Sequence, residues 1–530
     1  MKNKALIPEK DPVEVKSTGK NDWVYLLLLS LVFLLTYSTI FDAKLDLNGD
    51  NFGYLNFASS ILHGKGYSSP YSADFPATNW FPPGYSMILA TMMLFIGKNI
   101  VLLKIANGLF YLGGILLFHT LIKKITGNVH LAFAICILLL MNSGLLRLAT
   151  ILMSEIPYVF FSILALYYLS KMEEDMKVWK SKYFYGVLLS AVAAYYIRSV
   201  GVVLIGAIFL HWLTEKKWKR AFSFIGGFTI LYIPWMIRNA IYGIKGRYLD
   251  AMFTVNNWRP EEGKISTVSA FLDKMQVNLY DTIIRGFTDV IFPFALSEET
   301  AKMTIMVLGI AVVAIIFFGV WKTGRYRFLF GSYLLGNMLV FLLWHPGNGS
   351  RYVWPLAPFV AFFFFFGFYK LVELAFKAGK KNFPQFSPYV YLIFAFFSWP
   401  MLNSMKVAAA QDYYPPYKNY FDMAKTVGKQ GNKHLIIACR KPDMFYYFSG
   451  TYVTGYIYSL DDKEVLMDLL KKKVDYVVLE QLGYSSTGRY LYPAIVKNQE
   501  LFPLAMHLTN PDTYLLYFDK EKAKQKLNIK

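Results

Sequence analysis

Long apolar runs recur along the first four-fifths of this chain, and no other feature restricts its fold as much. The first, from Trp23 to Phe41, holds 19 residues and no charge. At about 1.5 Å per residue in a helix, it approaches a hydrocarbon core of ~30 Å. The run is too long for a cleaved signal peptide, and the "FDAKLD" that follows lacks a small-x-small cleavage site. It reads as an uncleaved first span. Further candidate spans lie near 84–97, 100–122, 129–142, 155–170, 183–197, 200–213, 221–238, 302–321, 328–344, 352–370 and 388–404. The expected fold is therefore an α-helical polytopic membrane protein of about 11–13 transmembrane helices. With 55% hydrophobic and 18% aromatic residues and a mean hydropathy of +0.35, the composition excludes an ordinary soluble protein.

The net charge of +20 does not point to nucleic acid, because the basic residues lie between apolar runs and form no single basic domain. "KMEEDMKVWKSK" (171–182), "TEKKWKR" (214–220), "KTGRYR" (322–327) and "KAGKKN" (377–382) are short basic loops, placed in the cytoplasm by the positive-inside rule. Counting from them puts 239–301, 345–352 and everything after about 405 outside. Counting from the basic amino terminus puts 42–83 outside too. The two counts differ by one crossing between 84 and 170, a difference that a re-entrant piece or a split of 129–153 would supply.

Residues 1–22 mix Lys with Asp and Glu around two prolines and read as a disordered cytoplasmic arm. The membrane domain spans 23–404. Residues 405–530 read as a small external α/β domain entered through the linker "AAAQDYYPPYKNY", with strands at "HLIIAC" (434–439), "VDYVVLE" (474–480) and "TYLLYF" (513–518). The helical "DKEVLMDLLKKK" (462–473) between the first two implies a parallel βαβ unit. No Gly-rich phosphate loop follows either of those strands, which argues against nucleotide binding there. Cys136 and Cys439 are too few for a disulfide framework or a zinc site.

Chemistry concentrates at the outer ends of the spans. In "NGDNFGYLNFASSILHGKGYSSP" (48–70), Asp50, Tyr54 and Ala58 share one face of an amphipathic helix expected to lie on the membrane surface, ended by Gly64 or Gly66. Taken alone, Asp50 reads more commonly as the N-cap of that helix than as a catalytic group. Charges at or inside apolar runs are costly and so informative. Arg198, Arg238, His345 and Arg351 all count to the outer face, and Glu155 opens "SEIPYVFFSILALYYL". One such arginine is explained by snorkelling to lipid phosphates. Several converging with a carboxylate suit an anionic ligand, with phosphate the natural candidate.

The ordered set "GDNFGY", "GKGY", "PPGY", "SEIPY", "PWMIRN" and "RYVWPLAPF" resembles the GT-C membrane glycosyltransferases. Within them it is similar to the branch of the protein O-mannosyltransferases and the lipid A aminoarabinose transferase. The resemblance covers about 23–404, and a trailing α/β domain matches many bacterial members. It implies a polyprenyl-phosphate-linked sugar as donor and an external acceptor: lipid A, a glycan or a protein hydroxyl. It also implies an acid of the first loop as general base, with inversion at the anomeric carbon. Carried over by residue, the base falls on Asp50, the neighbouring aromatic on Tyr54, the inner acid on Glu155 and the late arginine on Arg351, with Tyr352 beside it. The aminoarabinose branch has an acid and a lysine just before the Pro pair, where this chain has Trp80 and Phe81, and a basic residue where this chain has Gly53. The donor phosphate would then fall to Arg198, Arg238 and Arg351, with His345 and Tyr352 as further substrate-binding candidates. Asp46 lies one turn before Asp50, so a divalent metal is allowed but not demanded. The setting implied is a bacterial inner membrane with the site facing the periplasm.

Two rival functions predict other features. A transporter or flippase of lipid-linked sugars predicts an internal repeat and mid-span charges; no repeat is visible, and the charges sit at span ends. An O-antigen ligase or polymerase predicts a large late loop, and the loop at His345 is short. A scaffold without catalysis leaves the acid and the outer arginines unexplained.

Overall fold

The computed structural model describes residues 22–47, 50–72, 74–172, 177–244, 246, 248–256, 258–296, 299–344, 349–384, 387–432 and 434–529. Residues 1–21 of the amino-terminal arm and His345 lie outside the described residues, and Asp22, assigned to the arm, opens the first helix. Each expected span is helical: α1 (Asp22–Ile40), α3 (Gly84–Ile96), α4 (Ile100–Thr126), α5 (Val129–Leu140), α7 (Glu155–Lys171), α8 (Lys182–Ile197), α9 (Gly201–Thr214), α10 (Trp218–Ile241), α14 (Lys302–Trp321), α15 (Arg327–Leu343), α16 (Ala357–Ala378) and α17 (Ile393–Ala410). Between them lie the short helices α2 (Asn51–Leu62), α6 (Ser143–Ala149), α11 (Tyr248–Phe253), α12 (Val268–Asn278) and α13 (Gly286–Ile291).

Seven of the described helices are long and apolar enough to cross a membrane: α1, α4, α10, α14, α15, α16 and α17, the last three together with flanking helical residues. The expectation of 11–13 spans is thus larger than length and composition support, because α7 and α8 have only 17 and 16 residues and α3 and α9 are shorter still. The ambiguity between 84 and 170 has a structural origin. Helices α5 and α6 meet at a 67° bend, so they form a broken span or a re-entrant element. Asn142 makes the break: it caps α6 by accepting from the Leu145 amide at 3.1 Å, and its amide group donates to the Val290 carbonyl at 2.8 Å. The core is densely aromatic, as where Phe118, Phe330 and Tyr333 pack on Phe359.

The carboxyl-terminal domain holds α18 (Pro415–Lys429), α19 (Pro442–Ser449), α20 (Asp462–Lys471), α21 (Tyr492–Lys497) and α22 (Lys520–Lys526) around a five-stranded sheet. Its strands are β1 (Ile436–Ala438), β2 (Tyr452–Thr454), β3 (Tyr476–Leu479), β4 (Leu504–Leu508) and β5 (Thr513–Tyr517), in the order β2-β1-β3-β5-β4. β1 pairs parallel with β3, as the βαβ pattern requires, whereas β5 returns antiparallel. The edge strands β2 and β4 are short or mostly exposed and carry no apolar run that would mark them in the sequence.

The first loop departs from expectation. Helix α2 is covered by protein on both sides: Asn51 through Ala58 are buried. One side packs on the entry to α3, with the Tyr54 ring 4.5 Å from that of Phe81 and 4.9 Å from that of Tyr85. The other side packs on α19, where the Phe52 ring lies 5.3 Å from Tyr447 and 6.0 Å from Phe448. The Asn56 amide donates to the Asp443 carbonyl at 2.9 Å. An apolar partner covers the face that a periodicity argument assigns to lipid. After α2 the chain reverses at Gly64, whose φ of 71° is the left-handed conformation expected there.

Candidate active site

Asp50 occupies the position before α2 where an N-cap stands, yet its side chain makes no capping hydrogen bond. Its Oδ2 instead accepts from Arg351 Nη2 at 3.2 Å, across 301 residues of sequence. Arg351 stands on a 3₁₀ turn, Gly349–Tyr352, that leads into α16. Protein crowds the carboxylate while 41% of the side chain still meets solvent. Burial pushes the Asp50 carboxyl above its usual range; Arg351 opposes the rise, Glu155 adds to it, and Lys441 and Arg198 oppose it. A carboxylate of raised basicity open to one side can take a proton from an incoming group.

Behind it lies a second, closed pair. Glu155, in the first turn of α7, is 1% exposed, and its Oε1 sits 2.9 Å from Arg198 Nη1 at the end of α8. The same nitrogen donates to Ser154 Oγ at 2.9 Å, and the Tyr54 hydroxyl donates to that Oγ at 3.0 Å. Glu155 Oε2 is buried with no hydrogen-bond partner among the described residues. A chain of contacts thus runs Tyr54–Ser154–Arg198–Glu155, joining α2 to the ends of α7 and α8. Asn51 ties the start of α2 to the same wall: its Oδ1 accepts from the Leu152 amide at 2.9 Å.

The structure therefore brings Asp50, Tyr54, Glu155, Arg198 and Arg351 together. It places Arg238 elsewhere. That guanidinium donates to the carbonyls of Tyr67 and Thr78 and to Asn239, and stacks 4.6 Å from the Trp235 ring, fastening the first loop to α10. The Tyr352 hydroxyl accepts from Trp344 Nε1 at 2.9 Å, bridging the base of the short loop that holds the undescribed His345.

Sequence reasoning missed the contribution of the carboxyl-terminal domain. Lys441, just before α19, is one of the charges acting on Asp50, and Asp443, in the first turn of α19, is another neighbour of that carboxylate. A Cβ on Gly53 would stand 3.0 Å from the Phe81 ring and 3.8 Å from Asp443 Oδ2, so a side chain here would collide with the aromatic wall. Nothing near 440 in the sequence signals this role; only the docking of α19 on α2 reveals it. Among the described residues, no group of three His, Cys, Asp or Glu side chains converges to hold a metal ion.

The membrane helices and the trailing α/β domain share their fold with two solved structures. The chain is similar to ArnT from Cupriavidus metallidurans. The apo crystal structure aligns with a TM-score of 0.57 over 93% of this chain and 98% of that chain, at 13% identity. The structure bound to undecaprenyl phosphate aligns with a TM-score of 0.56 over 94% of this chain and 98% of that one, also at 13% identity. No protein-family model and no curated protein matches the sequence.

Proposed function

We propose that this protein is an inverting glycosyltransferase. It moves a sugar from a polyprenyl-phosphate carrier to an acceptor hydroxyl on lipid A, a glycan or a protein, at the periplasmic face of a bacterial inner membrane. The observation that carries the reading is the Asp50 carboxylate, which stands where a helix cap would be and pairs with Arg351 instead. The fold shared with a protein crystallised with undecaprenyl phosphate supports the choice of donor.

In this mechanism Asp50 removes the proton of the acceptor hydroxyl as its oxygen bonds to the anomeric carbon. The bond from that carbon to the phosphate oxygen breaks, and both electrons leave with the polyprenyl phosphate. The leaving group is already an anion, so it needs cations more than a proton. Arg351, 44% exposed, is the cation open to it. Arg198 stands behind, held in place by Glu155 and Ser154, and Glu155 acts by holding it and by adding to the basicity of Asp50.

Asp50→Asn tests the proposal. Because Asp50 makes no capping bond, the amide leaves α2 intact. Transfer should fall by about 10²–10⁴ while undecaprenyl phosphate binding persists. Near-wild-type turnover by the folded variant refutes the assignment.

A further inference from the structure

Resting on the glycosyltransferase reading, we propose that Arg440 and Lys441 form the acceptor subsite and that the acceptor carries an anionic group, a phosphate or carboxylate, beside its reacting hydroxyl.

Two adjacent cations are held on one aromatic ring. The Arg440 guanidinium lies 4.5 Å from the centroid of Tyr484, and the Lys441 ammonium lies 4.7 Å from it. Like charges at this spacing repel, and neither forms an ion pair with a carboxylate among the described residues. Glu480, whose oxygens accept from the Leu482 amide and the Thr487 hydroxyl, acts on both from a distance, and Asp50 and Asp443 act on Lys441 in the same way. Two cations held together with no carboxylate in direct contact can take an anion from outside. Burial, and then the charge of Arg440, lower the Lys441 pKa, while Asp50 raises it, so Lys441 senses the candidate base directly.

The walls suit a sugar. Trp258 and Tyr458 lie 5.4 and 5.7 Å from the Arg440 guanidinium, and Trp258 is 56% exposed. Aromatic faces with a few charged groups give an apolar bed with polar fixing points. The Trp258 wall is anchored to the carboxyl-terminal domain, since the Tyr490 hydroxyl donates to the Trp258 carbonyl and to Glu261, and Arg489 pairs with Glu261 at 2.8 Å.

Direction separates this subsite from the donor's. In an inverting displacement the nucleophile and the leaving group stand on opposite sides of the anomeric carbon. Arg198 and Arg351 belong to the helix ends of the membrane domain, whereas Arg440 and Lys441 belong to the domain docked on the other side of α2. A phosphate held by the first pair leaves the second pair to the acceptor.

Calorimetric titration of the full-length protein in detergent, with glucose 6-phosphate and with glucose as probes, tests the assignment. Glucose 6-phosphate should bind saturably and glucose should not. Lys441→Gln and Arg440→Gln should each weaken it at least tenfold, and Lys441→Arg should restore it. Undecaprenyl phosphate binding should be the same in Lys441→Gln as in the wild type. Absence of saturable glucose 6-phosphate binding overturns the proposal, as does equal loss in Lys441→Gln and Lys441→Arg. Weakened undecaprenyl phosphate binding in Lys441→Gln also overturns it, by giving the pair to the donor. Failure of the parent reading shows separately, as an active Asp50→Asn enzyme, with the glucose 6-phosphate titrations still deciding the subsite.

Discussion

Replacing Asp443 with Asn should make the protein more stable at neutral pH. Asp443 lies in the first turn of α19, against α2, with its Oδ1 buried and without a partner among the described residues. Burial, helped by the charge of Asp50, pushes its pKa from 3.8 up to about 6, with Lys441 and a hydrogen bond to Tyr71 opposing. An acid whose pKa is raised on folding binds its proton more tightly in the folded state. Below about pH 4 both states are protonated and the residue costs nothing. As pH rises through 6 the folded state must ionise it, and the full penalty applies above that. A shift of about two units corresponds to at most ~3 kcal/mol, and solvent reaching the partly exposed side chain reduces it to roughly 1–2 kcal/mol. Thermal unfolding of the detergent-solubilised chain reads this directly. The Asn variant should match the wild type at pH 4 and unfold a few degrees higher at pH 7.5. A lower Tm at pH 7.5, or the same gain at both pH values, refutes the reasoning that ionising Asp443 costs stability at this junction.

Breaking the closed ion pair with Glu155→Gln leaves the Arg198 charge buried and should cost about 3–5 kcal/mol, read as a lower midpoint in denaturant. Arg351→Ala removes the strongest influence lowering the Asp50 pKa, so the acidic limb of the pH–rate profile should move to higher pH; an unmoved limb separates Arg351 from the base. Cysteines introduced at Lys65 and Lys463 should both react with an impermeant thiol reagent in intact cells, and protection of the second alone contradicts a shared side for the first loop and the last domain.

The long elements were legible because their cause is local. Apolar runs of span length become helices whatever surrounds them, and α1, α4 and α14 stand within a few residues of where hydropathy puts them. Asp50, Glu155, Arg198 and Arg351, which the fold gathers in one place, stood out because charges beside apolar runs are few and costly. Arg238 obeyed the same rule and has a structural task, since carbonyls of the first loop satisfy a guanidinium as well as a phosphate does. Lys441 was illegible for the opposite reason. In a domain rich in surface lysines, one more carries no signal until α19 is seen against α2. The apolar face of α2 was misassigned because periodicity records that a face is covered and does not record by what.

The docking of α19 on α2 also sets an order of events during synthesis. Asn56 and Asp443, joined in the folded protein, are separated by 387 residues. At about 5–20 residues per second, roughly 20–80 s pass between their emergence from the ribosome. Through that interval the first loop waits with Phe52 uncovered and Asp50 lacking the cations of the last domain. A chain that stalls or is cut short before residue 440 keeps the arginines of the membrane domain but lacks α19 against α2 and the charges that helix brings to Asp50.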